Sequence, residues 1–428
     1  MNSSIPQSNR PRVVIIGGGF GGLAAARALR RAPVQVILID KNNYHTFQPL
    51  LYQVATAGLE PDSIGYPLRK IFKGHHNLIY RMAEVNFIDT ASKKVETSIG
   101  PVSWDYLIVA AGSRSNFFGM DSFSAHSMPM KSIPEAMDIR ARLFRNFEKA
   151  TLTENLAEQD ALMTVVVVGG GPTGVETAGA IGELKRHILP RDFPELDIRR
   201  MQIHLVEAGP SLLAAMSAHA SESARHYLEE LGVTVWLNAP VVDFDGVGLK
   251  LKNGVTIRSG AVIWSAGVEG ALIPGLPDPL IQRGNRIQVD DYCRVEGAGS
   301  VYVIGDLAFR PTAAFPKGLP MVAQVAIQMG TFVANDLKRR LSGKEPVPFE
   351  YKDLGSMATI GRNRAVVDLK PVRFSGLIAW FVWMAVHLMT LVGFRNRVVV
   401  FINWVYNYFS YDRGIRLILT PTGRKEPS

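Results

Sequence analysis

Apolar residues along this 428-residue chain gather in short unbroken runs rather than in alternation. Val13-Val14-Ile15-Ile16 follows a polar opening, MNSSIPQSNRPR, and Val34-Gln35-Val36-Ile37-Leu38-Ile39 comes after an alanine-rich stretch. Runs of this kind, bounded by glycine, predict strands buried on both faces. The pattern VVIIGGGFGGLAAARAL at 13–29 returns as VVVVGGGPTGVETAGAI at 165–181. Each copy reads as a strand, a glycine-rich turn and a helix, so the chain predicts an α/β fold built on two similar units. A helical, mixed-charge stretch over 120–160 bridges them. From about 351 the pattern changes: residues 374–394 carry no formal charge, and 398–411 are rich in aromatic residues. The closing TPTGRKEPS reads as a frayed tail. No apolar core follows the basic residues of the N-terminus, so no secretory signal is expected.

Composition narrows this picture. With 47% hydrophobic and 20% charged residues the chain is not disordered, and 39 Gly and 25 Pro without a period exclude a collagenous chain. Cys293 is the one cysteine. That removes disulfide frameworks, cysteine-based zinc sites and two-cysteine redox centres, and leaves Cys293 as a bland thiol. The net charge of +9 fits nucleic acid, an anionic membrane or nothing specific. No basic patch interleaved with aromatics and no nucleic-acid motif is present, so no nucleic-acid partner is expected.

Candidate chemistry begins at Gly17-x-Gly19-x-x-Gly22. The glycines permit a tight turn, close approach of a pyrophosphate and close helix–strand packing, and the helix N-terminus presents free N–H groups to phosphate. An acid is expected at the end of the next strand to hold a ribose hydroxyl, and Asp40 stands there. Two later strands, 104–112 ending in small residues and 301–306 ending in Gly305-Asp306, resemble those of two-dinucleotide-binding flavoproteins. They point to FAD at the first turn, with Asp306 holding the ribityl chain or capping a helix. Gly169-x-Gly171-x-x-Gly174 repeats the logic, and the strand 201–206 ends in Glu207. A carboxylate there accepts the ribose diol and repels a 2′-phosphate, which favours NADH over NADPH. Glu176 lies one helical turn in, either near the nicotinamide or as ordinary first-turn charge. The expected architecture is therefore two Rossmann-like dinucleotide-binding domains, FAD at 11–125 and 275–350 and NADH at 126–274, with a membrane-anchoring helical region at 351–428.

Electrons on a flavin need an exit. The missing cysteine pair excludes disulfide and sulfide routes, and no ligand cluster supports a metal or haem centre, so a diffusible quinone, oxygen or an external protein remains. Pro320 suits a first helical turn, and Gln324 and Gln328 are four apart on one helix face. They could hydrogen-bond a quinone carbonyl or simply face water. In the tail, 371–428 carries a net +5 from Arg373, Arg395, Arg397, Arg413, Arg416, Arg424 and Lys425 against Asp412 and Glu426. Asn396, Asn403, Asn407 and Ser410 form a polar stripe, with Phe401, Trp404, Val405 and Tyr408 off it. Three readings stand here: an interfacial anchor attracted to anionic headgroups, one transmembrane helix through 374–394 with His387 as an awkward passenger, or a soluble dimer interface. At this level a soluble NAD(P)H-linked flavoprotein serving oxygen or a protein, and a non-turnover NADH sensor, also remain open.

Taken together, Gly17–Gly22, the run YHTFQPLLYQVAT at 44–56, Gly169–Glu176 and Ala323-Gln324-x-Ala326-x-Gln328 resemble the type II NADH:quinone oxidoreductases, over nearly the whole chain. The resemblance implies a respiratory-chain flavoprotein that passes electrons from NADH to a quinone of menaquinone, ubiquinone or plastoquinone type. It implies a ping-pong cycle without proton pumping. It also implies a homodimer held peripherally on the cytoplasmic face of the plasma membrane. Glu176 maps to the family's glutamate near nicotinamide and quinone, and Gln324 and Gln328 to its quinone-site glutamines. The implied FAD contacts also include Phe20, Gly21, Lys41, Thr46, Gln48, Val85, Ala111, Gly112, Ala326 and Ile327, and the implied NADH contacts Ala266 and Gly267.

Overall fold

The computed structural model describes residues 5–410 and 415–419. The closing TPTGRKEPS, and Asp412, Arg413, Arg424, Lys425 and Glu426 of the charge count, lie outside the described residues. The chain forms two compact units. One is built from residues up to His45, Tyr66–Arg114 and Val268–Asp353; the other from Thr46–Gly65, Ser115–Gly267 and residues from Leu354 on. The expected division differs at its boundaries, with 115–125 in the second unit and 268–274 in the first. Segment 46–65, expected with the first turn, belongs to the second unit, and the C-terminal region packs into that unit rather than standing apart.

In the first unit the strands Ala298–Val303, Tyr106–Val109, Arg12–Ile16, Gln35–Asp40 and Leu78–Met82 lie in that order as a parallel sheet, with Arg294–Val295 antiparallel at one edge. Arg12–Ile16 sits in the middle because Val13 to Ile16 are buried on both faces and each side chain needs a neighbour to pack on. Its register runs Val13 against Val36 on one side and Val13 against Tyr106 on the other. The helix Phe20–Ala28 packs against the long helix Ala323–Leu341. Their contact is close because Gly330 has no side chain: a Cβ there would meet the Gly21 carbonyl oxygen at 2.2 Å. That long helix begins at Ala323, capped by Val322, so Pro320 precedes it rather than opening it.

The second unit repeats the plan with Met128–Pro129, Ala261–Trp264, Val165–Val168, Ile203–Val206 and Val233–Trp236, all parallel. A three-stranded sheet, Ser356–Thr359, Ala365–Asp368 and Arg373–Ser375, leads into two C-terminal helices. The first, Leu377–Thr390, has 14 residues, about 21 Å of rise against the roughly 30 Å of a bilayer core. Strand Arg373–Ser375 and Gly376 take the start of the uncharged stretch, and Leu391 leaves the helix in extended backbone. No described helix is long and apolar enough to cross a membrane.

The second C-terminal helix, Phe394–Ser410, is amphipathic in an unexpected sense. Its polar stripe faces the protein. The Asn396 amide is buried and donates to the carbonyls of Asp62, Ser63 and Gly65 at 2.9, 3.0 and 3.2 Å. Asn407 donates to the Gly58 carbonyl at 3.2 Å, and Trp404 donates its indole N–H to Gln53 Oε1 at 2.8 Å. Phe394, Phe401, Ile402, Val405 and Phe409 are exposed on the other side. Segment 46–65 exposes backbone carbonyls, and those carbonyls take the amides. This is why Thr46–Gly65 joins the second unit. Asn396→Ala removes the amide that three carbonyls share, two of them buried, so the urea midpoint should fall by an amount equivalent to about 2 kcal/mol, with new proteolysis within 391–410. An unchanged midpoint would mean the helix is held by its apolar contacts alone.

Candidate functional site

Both glycine turns are built alike. Gly17 has φ +101° and Gly169 φ +111°, a conformation that side chains resist. A Cβ on Gly17 would lie 2.3 Å from the Ala110 carbonyl oxygen, and one on Gly169 2.7 Å from the Ala266 nitrogen. Ala111 and Gly112 thus leave strand Tyr106–Val109 beside the first turn, and Ala266 and Gly267 leave strand Ala261–Trp264 beside the second. Gly19 and Gly171 differ from these. Each caps a helix in extended backbone with φ near −70°, which any residue adopts, and a Cβ on either would meet nothing within 4 Å. That open space at a helix N-terminus is what a diphosphate fills, so both turns fit a dinucleotide.

The strand-end acids hold these turns. Asp40 Oδ2 accepts from the Gly18 N–H at 2.6 Å and Oδ1 from the Asn42 N–H at 2.7 Å. Burial raises the Asp40 pKa, and the two N–H groups oppose the rise. Glu207 Oε2 accepts from the Gly170 N–H and Oε1 from the Gly209 N–H, both at 2.6 Å. Carboxylate oxygens keep further lone pairs, so these bonds leave room for a ribose hydroxyl.

The remaining expected FAD contacts divide between the units. Phe20, Gly21, Lys41, Val85, Asp306, Ala326 and Ile327 lie in the first unit, Thr46 and Gln48 in the second. Asp306 is in a short 3₁₀ turn, Gly305–Leu307, where its Oδ2 accepts from the Ser113 hydroxyl at 2.5 Å. It caps no longer helix. Ala326 is packed close to Gly21 and Gly305, whereas Ile327 is exposed. Gln324 and Gln328 share one face of helix Ala323–Leu341. The Gln328 amide donates to the Lys352 carbonyl at 2.9 Å while its oxygen accepts from the Lys352 N–H at 3.0 Å. Gln328 therefore ties that helix to the segment after it. Cys293 is fully buried, which pushes its thiol up and keeps it protonated.

Glu176 lies in helix Pro172–His187 of the second unit and is buried. Burial raises its pKa to about 8; the Thr359 N–H, 3.4 Å from Oε1, and the nearby Trp383 indole pull the other way. Among the described residues the indole N–H reaches no acceptor at full hydrogen-bond geometry. Trp383 is 2% exposed and stacked on His387 at 4.1 Å, and His387 Nδ1–H donates to the Trp383 carbonyl at 2.8 Å. Burial lowers the His387 pKa to about 4, so the ring is neutral. His387 is thus a packed partner of Trp383, not a lipid-facing residue. Thr359 and Trp383 also wall a cavity of about 120 Å³ inside the same unit, with Tyr52, Trp380, Trp404 and Tyr408. At its polar end Arg362 donates to the Asn407 carbonyl at 2.6 Å and lies over the Tyr408 ring at 4.8 Å. Sequence reasoning missed Trp383, Thr359 and Arg362. Only a tryptophan in the middle of the uncharged stretch hinted at them.

A raised carboxyl pKa is a stability statement. The Glu176 proton stabilises the fold fully below its ordinary value near 4.5, and that contribution is lost as pH rises through about 8. Urea midpoints of the wild type should therefore decline between pH 5 and 9, by an amount absent in Glu176→Gln. Parallel profiles for the two proteins would show that Glu176 is ionised in the fold.

Residues 11–330 match the family described as pyridine nucleotide-disulphide oxidoreductase, and residues 354–411 match the NDH2 C-terminal domain. Two Mycobacterium tuberculosis proteins are similar over 95% of this chain. One, named type II NADH:quinone oxidoreductase Ndh, is 39% identical over 89% of its own length; the other, NdhA, is 38% identical over 88%. A structure of NDH2 from Plasmodium falciparum in complex with NADH superposes with a TM-score of 0.87 at 21% identity, covering 96% of this chain and 100% of that one. The sulfide:quinone oxidoreductase of Aquifex aeolicus superposes at 0.71 with 18% identity over 94% and 95% of the two chains. These two likenesses concern the fold.

Proposed function

The chain belongs to the type II NADH:quinone oxidoreductases, and from that premise we propose which of its residues serve the transfer of electrons from NADH to a membrane quinone. It is an FAD-dependent oxidoreductase. When bound, FAD would supply the two-electron chemistry that couples NADH oxidation to quinone reduction. We assign FAD to the turn Gly17–Gly22 with Asp40 and Asp306, and NADH to the turn Gly169–Gly174 with Glu207, Ala266 and Gly267. Glu207 holds the ribose diol and repels a 2′-phosphate. The order we propose is ping-pong, without proton pumping, in a homodimer on the cytoplasmic face of the plasma membrane; these rest on family membership.

The observation that carries the quinone assignment is the aromatic cavity whose walls Thr359 and Trp383 also border Glu176. Flat indole and phenol faces suit a quinone ring, and an apolar lining suits its tail. Glu176, protonated at neutral pH, serves as the acid that supplies a proton to the reduced ring. Gln324, in the first unit, is assigned as an amide donor to a quinone carbonyl on family membership alone, with Gln328 fixing the helix that carries it. The exposed apolar face of helix Phe394–Ser410, with Arg395 and Arg397 at its start, supports docking on an anionic lipid surface.

Rapid mixing separates the two half-reactions. With NADH and a short-chain quinone, Gln324→Ala and Glu176→Gln should slow flavin reoxidation about tenfold or more while flavin reduction stays within about twofold. FAD should be the flavin released on denaturation. Equal loss in both half-reactions would sink the assignment. The triple variant Phe401→Ser, Ile402→Ser, Phe409→Ser should stay in the supernatant when vesicles containing anionic lipid are pelleted, yet keep its turnover with the short-chain quinone. Continued pelleting of that variant would place the membrane contact elsewhere.

A further inference from the structure

The two glycine turns hold their middle glycines in the same way with one exception. Gly18 and Gly170 each donate the backbone N–H to the strand-end acid at 2.6 Å. Each also sits between that acid and a leucine: a Cβ would meet Leu68 at 2.9 Å at the first turn and Leu212 at 2.7 Å at the second. The carbonyls differ. Gly170 C=O accepts from the backbone N–H of Leu213 at 2.8 Å. Gly18 C=O instead takes a side chain, His45, whose Nδ1 is 2.9 Å away. A carbonyl only accepts, so Nδ1 carries the hydrogen and the tautomer is fixed. The imidazole is 1% exposed, its edge stands against the Phe20 ring at 5.1 Å and 86°, and Nε2 has no partner among the described residues. Burying a ring nitrogen unpaired is unfavourable, so the contact it does make is specific.

We infer that His45 is a positioning residue for the bound flavin dinucleotide: by fixing the Gly18 carbonyl while Asp40 fixes the Gly18 N–H, it orients the peptide that aims the turn's N–H groups at the diphosphate. The side chain does at the first turn what the backbone of Leu213 does at the second. The inference rests on the reading that the first turn holds FAD, and it is independent of the electron acceptor.

The test is FAD release from the holoenzyme, followed by flavin fluorescence after dilution. His45→Phe keeps the ring against Phe20 and removes the donor. It should release FAD roughly tenfold faster, the worth of one hydrogen bond. His45→Asn places an amide N–H where Nδ1–H was and should restore release to near the wild-type rate. NADH affinity should not change in either variant. Wild-type release from His45→Phe would overturn the inference, as would failure of His45→Asn to rescue. So would a fall in the thermal midpoint of FAD-free His45→Phe large enough to account for its FAD loss. Gly19→Val tests the underlying reading separately: its Cβ would meet no protein atom within 4 Å, and the added side chain takes up the space of the cradle. FAD retained by Gly19→Val would move the flavin to another site, whatever His45 does.

Discussion

In both copies of the strand–turn–helix unit, the third glycine lies against the carbonyl of the first. A Cβ on Gly22 would sit 1.8 Å from the Gly17 oxygen, and one on Gly174 1.8 Å from the Gly169 oxygen. No side chain fits there, and no small shift of a rigid helix relieves such a contact. The helices Phe20–Ala28 and Pro172–His187 therefore start at a fixed distance from their strands. From that follow the open space before Gly19 and Gly171, the reach of Asp40 and Glu207 to the turns, and the depth of Glu176 one turn further along. The first-unit helix is close enough in turn for Ala323–Leu341 to pack on it through Gly330.

Helix Phe394–Ser410 works by the opposite logic to a surface helix of a soluble domain. Its amides replace water for the carbonyls of segment 46–65, while Phe401, Ile402 and Phe409 face outward. Hydrogen bonds from Asn396, Trp404 and Asn407 act beside the buried Val400 to orient the helix, and its outward apolar face stays exposed. The same helix contributes Trp404, Asn407 and Tyr408 to the cavity.

Much of this was legible in the chain because it is local. The two strand–turn–helix units, their strand-end acids and the helix carrying Gln324 and Gln328 all depend on residues within a few tens of positions. What was not legible depends on distant partners. An amphipathic pattern gives the polar stripe of Asn396 and Asn407 but not its direction, because the carbonyls that claim it belong to Asp62, Ser63, Gly65 and Gly58. The uncharged stretch 374–394 suggested a span, yet Gly376 and Leu391 end the helix from within it. His387 looked out of place in lipid and proves to be stacked on Trp383. Gln328 gave a helix face, but its bonds to Lys352 could not be foreseen from spacing. His45 stood in the run that carried the family resemblance without any local sign of its bond to Gly18.

One helix has exposed apolar side chains on its outer surface and cavity-lining side chains on its inner one. A long-tailed quinone dissolves in the bilayer, not in the aqueous phase. The quantity that governs saturation is then its mole fraction in the leaflet beneath that helix rather than its molarity in the bulk. Diluting a suspension of vesicles carrying both protein and quinone leaves that fraction unchanged, whereas adding quinone-free lipid lowers it at constant total quinone. On the docking proposed above, saturation of the enzyme becomes a two-dimensional property, set by the composition of the membrane that the helix meets.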